Sequence, residues 1–179
     1  MNSLEFLEAG AVKAARELIG WRLYAEQADG SLVGGTIIET EAYHMDDAAS
    51  HSYKGQTERT KVMFGPAGYL YVYFTYGMHY CLNIVTGHEG IGEAVLIRAL
   101  ELDQGVDLAR ERRHRPDNEL TDGPAKVCQA LGVNLSDYGL RINRSRIKLL
   151  PPTKKYKTKA TPRIGITKDK DRLWRFVAC

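Results

Sequence analysis

Apolar residues recur at helical spacing over residues 11–19 and stop at Gly20, which predicts a short amphipathic helix. The pattern then changes to the alternation of strands. Residues 21–25 and 32–39 flank Asp29-Gly30, a turn signal, and predict a hairpin. Residues 46–63 are polar and charged, too long a stretch for a tight turn, and Gly65-Pro66-Ala67-Gly68 punctuates the chain before the next strand; the stretch reads as a functional loop. Residues 69–75 are aromatic and β-branched, with Tyr69, Tyr71 and Tyr73 on one face, and Tyr76-Gly77 breaks the run. Residues 80–86 and 94–99 predict further strands, joined through the glycine-rich residues 87–92 in an antiparallel pair. A helix is expected over residues 104–113. A second runs to Leu131 and stops at Gly132, with Thr121-Asp122-Gly123-Pro124 supplying capping groups and an early proline. Short strands at 146–149, 163–166 and 173–177, with residues 151–161 as a basic irregular connection, complete a mixed α/β (α+β) domain without internal repeats.

Length and composition narrow this picture. A chain of 179 residues with 44% hydrophobic content can bury one core, so residues 1–179 are expected to form a single domain. The net charge of +3 suits a polyanionic partner and many ordinary enzymes alike, so local clusters decide more than the total. Cys81, Cys128 and Cys179 are odd in number and lack the close pairing of a zinc site, which implies neither a disulfide framework nor a structural metal. No segment approaches 18 continuous apolar residues, and the first residues lack a charged region leading into an apolar run. A cytoplasmic protein without a membrane segment is expected.

Candidate chemistry begins at Glu39-Thr40-Glu41-Ala42-Tyr43. Two residues apart on a strand, Glu39 and Glu41 share a face while Thr40 points away. Glu41 is the candidate general base, because Ile37 and Ile38 can hold its strand rigid; a solvated pair at a strand edge is the alternative. Tyr43, His51, Tyr73 and Tyr76 offer flat faces to a base, and an electron-rich ring favours a cationic, alkylated purine. Tyr71 reads as core. His51 taken alone also reads as a hydrogen-bonded structural histidine, whereas Tyr76, beside Gly77, can protrude as a wedge. Arg98 ends an apolar run, where it can meet a phosphate or Glu41, or pair simply with Glu101 or Glu93. Asn83 is a polar side chain in an apolar strand and needs a partner if buried. Arg59, Lys61, Lys126 and the lysines of residues 154–159 are candidate phosphate contacts, although a lysine-rich run such as the last is usually just a solvated loop. No GxGxxG, P-loop or HExxH pattern occurs, so no cofactor is implied and side chains with water are expected to carry the chemistry.

In their order these blocks resemble one family, the alkyladenine (3-methyladenine) DNA glycosylases. The likeness rests on Glu39-Thr40-Glu41-Ala42-Tyr43, Ala49-Ser50-His51-Ser52, Val62-Met63-Phe64-Gly65-Pro66, Leu70-Tyr71-Val72-Tyr73-Phe74-Thr75-Tyr76-Gly77-Met78, Leu96-Ile97-Arg98-Ala99-Leu100-Glu101 and Gly123-Pro124-Ala125-Lys126-Val127-Cys128-Gln129-Ala130-Leu131. The resemblance implies a curved antiparallel sheet, and a monomer that flips damaged purines out of double-stranded DNA and hydrolyses the N-glycosidic bond without a cofactor or lyase step. It implies that Glu41 activates the water, with Arg98 and the Ile164 carbonyl beside it. It implies further that Tyr43, His51 and Tyr73 wall the base pocket, that Tyr76 enters the duplex, and that Asn83 crowds the 2-amino group of guanine. His44-Met45 and Glu58 depart from the family pattern and bear on lesion range more than on reaction type. Two rival classes follow from the same residues: a catalytically silent DNA-binding module, and a metal-dependent phosphodiesterase using Glu39, Glu41, Asp47 and His51.

Overall fold

In the computed structural model, which describes residues 4–179, the strands read around Asp29-Gly30 form the expected hairpin: β1 (Arg22–Glu26) pairs antiparallel with β2 (Leu32–His44). A second hairpin follows, β3 (Leu70–Thr75) with β4 (His79–Val85), and β5 (Glu93–Gln104) returns beside β2. With β6 (Ile147–Leu150), β7 (Thr158–Thr161) and β8 (Arg175–Ala178), they make one curled antiparallel sheet, a half-barrel ordered β3-β4-β5-β2-β1-β6. The domain is α+β and single, as expected.

β2 continues past Glu39, where alternation suggested it would end, because it gains neighbours on both sides. β5 lies along one edge, and on the other β1 gives way to β8 at Glu39, Thr40 and Glu41. The Glu39–Glu41 segment is therefore central, and the solvated-edge reading fails. The β2–β5 ladder shifts register on either side of Glu39, skipping Ile38 on one strand and Arg98 on the other. Bulges of this kind re-aim side chains. Here Arg98 swings to meet both glutamates. At the start of β2 the strands approach so closely that a Cβ on Gly35 would lie 1.9 Å from the Glu101 carbonyl oxygen, a space that only glycine fits.

Three α-helices among the described residues cover the sheet: α1 (Ala11–Glu17), α2 (Val106–Arg113) and α3 (Pro124–Leu131). α1 is shorter than its apolar period, because the Ile19 N–H turns back to the Arg16 carbonyl in a tightened last turn. α3 starts at Pro124 and ends at Gly132 in the left-handed region, as read from the sequence, but Thr121 and Asp122 do not cap it. Thr121 donates to the Leu100 carbonyl instead, and Asp122 takes Lys126. α1 and α3 press onto β2, β4 and β5, and the main core fills that interface with Leu18, Ile37, Leu82, Ile84, Ile97 and Leu131 among others. Two segments differ from the pattern the sequence predicts. Residues 163–166 form no strand, since Gly165 takes φ 74° and the Ile164 amide is drawn to a side chain. The pairing segment is β7, inside the stretch read as irregular.

Candidate active site

Glu41 leaves β2 beneath a concave surface and is itself 0% exposed. Its carboxylate is occupied on both oxygens. The Tyr43 hydroxyl donates to Oε2 at 2.8 Å, and the Ile164 backbone N–H donates to Oε1 at 2.8 Å. Arg98 Nη1 lies 3.3 Å from Oε2, while its Nε donates to Glu39 Oε1 at 2.9 Å. Arg175, on β8, holds the same Glu39 oxygen at 2.5 Å. Neither Glu93 nor Glu101 pairs with Arg98; Glu93 instead accepts the Ala11 N–H at the start of α1. A carboxylate held by two hydrogen-bond donors and a neighbouring guanidinium is oriented before any ligand arrives, which is what acid/base work requires. Burial raises the Tyr43 phenol above its ordinary value and the charge of Glu41 raises it further, so Tyr43 stays a donor. For Arg98 burial acts downward, but Glu41 and Glu39 outweigh it and the guanidinium is held more firmly charged.

Above this assembly opens a cavity of about 330 Å³, at the small end of ligand sites. The sequence candidates Tyr43, His51, Tyr73, Tyr76, Asn83, Arg98 and Ile164 all line it, joined by Met63, Tyr71 and Cys81. β3 supplies Tyr71 and Tyr73 on one face, and His51 meets the Tyr73 ring edge-on at 4.6 Å between centroids. Tyr71 is buried, as a core residue should be, yet its hydroxyl also engages His51 Nδ1 at 2.9 Å. His51 is pushed down to about 4, first by loss of water around the ring and then by the charge of Arg59, so it is neutral at pH 7. The residue as a whole is exposed, but one side of its ring meets Tyr71 and Tyr73 edge-on, at 6.0 and 4.6 Å between centroids, and loses water there. With Nδ1 engaged, Nε2 is the nitrogen open to a ligand. Burial raises the Tyr73 phenol, and the Cys81 thiol beside it adds to this. Asn83 is buried, and its Nδ2 donates to the Tyr71 carbonyl at 3.1 Å, which fixes the amide at the cavity wall.

The rim carries the remaining candidates. Tyr76 is 88% exposed at the tip of the β3–β4 hairpin, where it and Gly77 both take positive φ, 51° and 68°. Arg59 lies over the Tyr73 ring at 5.3 Å and has no acidic partner among the described residues. Lys126, in the first turn of α3, is bound to Asp122 at 2.7 Å. The side chain of Ile164 is 49% exposed at the mouth while its amide holds Glu41 below.

A protein-family model described as methylpurine-DNA glycosylase matches residues 5–179. The chain belongs to that family. It is 46% identical over 175 residues to a Nitrosospira multiformis protein, covering 97% of this chain and 88% of the relative. It is 44% identical over 176 residues to a Carboxydothermus hydrogenoformans protein, covering 96% and 92%, and 45% identical over 172 residues to one from Rhodopseudomonas palustris, covering 96% and 83%. All three relatives carry the provisional name 3-methyladenine DNA glycosylase. A methylpurine-DNA glycosylase is a hydrolase acting on DNA, so the silent binding module gives way.

The geometry of this glycosylase also divides the set that suggested a phosphodiesterase. Glu39 and Glu41 share Arg98, Asp47 is buried against Arg163, and His51 faces Tyr71. No three metal-ligating side chains gather among the described residues. The Asp47–Arg163 pair escaped the sequence reading altogether. Hydropathy patterns read charged residues as surface, and nothing in spacing links positions so far apart. Arg175 was missed for the same reason, although its place on β8 two strands from Arg98 makes it the second clamp on Glu39.

Proposed function

We propose that this glycosylase turns an alkylated or deaminated purine out of duplex DNA into the cavity and hydrolyses its N-glycosidic bond, leaving an abasic site. The observation that carries the reading is the carboxylate of Glu41, fixed by Tyr43, Ile164 and Arg98 directly behind the cavity lining. Water adds through oxygen to the anomeric carbon, the C–N bond breaks, its electron pair departs with the purine, and the proton from water passes to Glu41. The same carboxylate stabilises the oxocarbenium character of the sugar as the base leaves. The Ile164 carbonyl is the second water acceptor in this reading, since its amide already holds Glu41 in place.

Tyr43, Tyr73 and His51 form the walls that stack on a flat base, and a positively charged lesion gains cation–π attraction of about 0.5–2 kcal/mol there. Tyr76 fills the gap in the duplex, and Asn83 crowds the 2-amino group of guanine. Arg59 and Lys126 take phosphates, Lys126 after releasing Asp122. Among the described residues no lysine lines the cavity, which supports water rather than an amine as nucleophile. In this reading the protein acts as a monomer on cytoplasmic or nucleoid DNA. Neutral His51 offers a hydrogen bond to the base rather than a proton, so neutral lesions such as hypoxanthine are expected to leave more slowly than cationic ones.

The test is single-turnover base release in chelator, from duplexes carrying one ethenoadenine or one hypoxanthine and from methylated DNA. Wild type is expected to leave abasic sites, and Glu41→Gln to bind damaged duplex while losing about 10²- to 10⁴-fold in rate. Full activity of Glu41→Gln, or release that requires a divalent ion, refutes the assignment.

A further inference from the structure

Residues 162–174, between β7 and β8, belong to no strand or helix, yet they deliver the Ile164 amide to Glu41. Their anchor is the side chain of Arg163, which is buried. Its guanidinium forks onto Asp47, with Nη2 donating to Oδ1 at 2.9 Å and Nη1 to Oδ2. Nη1 also donates to the Ala42 carbonyl at 3.0 Å, and Nη2 to the Asp169 carbonyl at 3.3 Å. The plane lies over the Tyr43 ring at 4.7 Å and near Trp174 at 5.3 Å. Both hydrogen-bond donors to Glu41 thus depend on one residue. Ile164 follows it in the chain, and Tyr43 lies under its face.

We propose that Arg163, clamped by Asp47, is a positioning residue for hydrolysis: it sets the Ile164 amide and the Tyr43 hydroxyl that aim Glu41 at the scissile bond. The proposal rests on the reading of Glu41 as the water-activating group. Asp47 also accepts the Ala49 N–H, at the start of the turn carrying His51, so the clamp joins the segments on two sides of the cavity mouth. Stability alone gives little reason for such a pair, since buried ion pairs are commonly replaceable by apolar residues at no loss. Arg163 also holds a buried Nε without a partner, a desolvation cost accepted for its geometry. Lysine cannot reproduce it, having neither the planar fork nor the stacking face.

The test uses the full chain with Arg163→Lys and, should that variant fold poorly, Asp47→Asn. Folding is checked by thermal melting, single-turnover release is measured on ethenoadenine duplex, and affinity is measured on the abasic product duplex. A displacement of an ångström or less at Glu41 is expected to lower the rate at least about tenfold and as much as about 10²-fold, with affinity within about threefold of wild type. A smaller fall in rate, or a loss of affinity equal to the loss of rate, overturns the proposal. Failure of the underlying reading shows elsewhere, as wild-type turnover by Glu41→Gln.

Discussion

Tyr76 occupies a backbone conformation that costs a bulky L-residue about 1–2 kcal/mol, and it presents nearly all of its side chain to solvent. Strain held where nothing packs points to work done on something outside the protein. Tyr76→Gly is therefore expected to leave melting unchanged or slightly raised while slowing base release about tenfold or more; a clear drop in melting temperature would make the ring a buttress of the hairpin instead. His51 gives a second expectation at this scale. Its folded value near 4 lies below its ordinary 6.5, so the unfolded chain binds the proton first and stability falls as pH drops through that interval, being complete above 6.5. Denaturant unfolding of His51→Phe should show a flatter dependence between pH 4 and 6.5 than wild type; an unchanged slope would show that other groups dominate. The cavity residues were legible because tyrosines, a histidine and a glutamate announce their chemistry by type. Arg163 and Asp47 were not, since burial of a charge is a property of the fold and leaves no periodic trace.

At the level of elements, the sequence pattern identified the β1–β2 hairpin, the antiparallel pairing of β4 with β5, and α3, because each has a sequence device that marks it: Asp29-Gly30, the glycine-rich residues 87–92, and Pro124 with Gly132; the β3–β4 hairpin around Tyr76-Gly77 emerges only in the structure. What spacing could not give was the environment of β2. Its later half lies between β5 and β8, the second of which arrives from the far end of the chain. The bulges that turn Arg98 toward Glu39 and Glu41 are likewise products of pairing rather than of local preference. Arg163-Ile164-Gly165-Ile166 alternates like a strand, but its amide serves a carboxylate and its glycine turns the chain. The crossing at Gly35 supplies a test of how tightly this arrangement is set. Gly35→Ala is expected to cost about 1–3 kcal/mol in denaturant unfolding, because β2 and β5 must part to admit a methyl group. A neutral result would mean that the ladder below the glutamates is slack.

Over the whole molecule, a net charge of +3 says little about DNA, and the distribution of cations around the mouth says more. Arg59 has no acidic partner among the described residues, so Arg59→Ala is expected to reduce the slope of log affinity against log salt by about 0.9, the release of one phosphate's counterions. Lys126→Ala should change it less, because Asp122 already offsets that charge. Titrations of duplex binding across salt concentrations measure both, and an unchanged slope for Arg59→Ala would confine that side chain to supporting Tyr73. The molecule also separates two duties in space. Tyr71, Tyr73, Cys81 and Asn83 stand on β3 and β4 and His51 on the turn before residue 52, whereas the carboxylate and its guanidinium braces, with Tyr43 as the one wall they share, belong to β2, β5, β8 and the segment leading into β8. Under the proposed reading, the repertoire of lesions and the hydrolytic step have separate architectural addresses. Lineages are then free to retune one by substitution at the hairpin while inheriting the other intact.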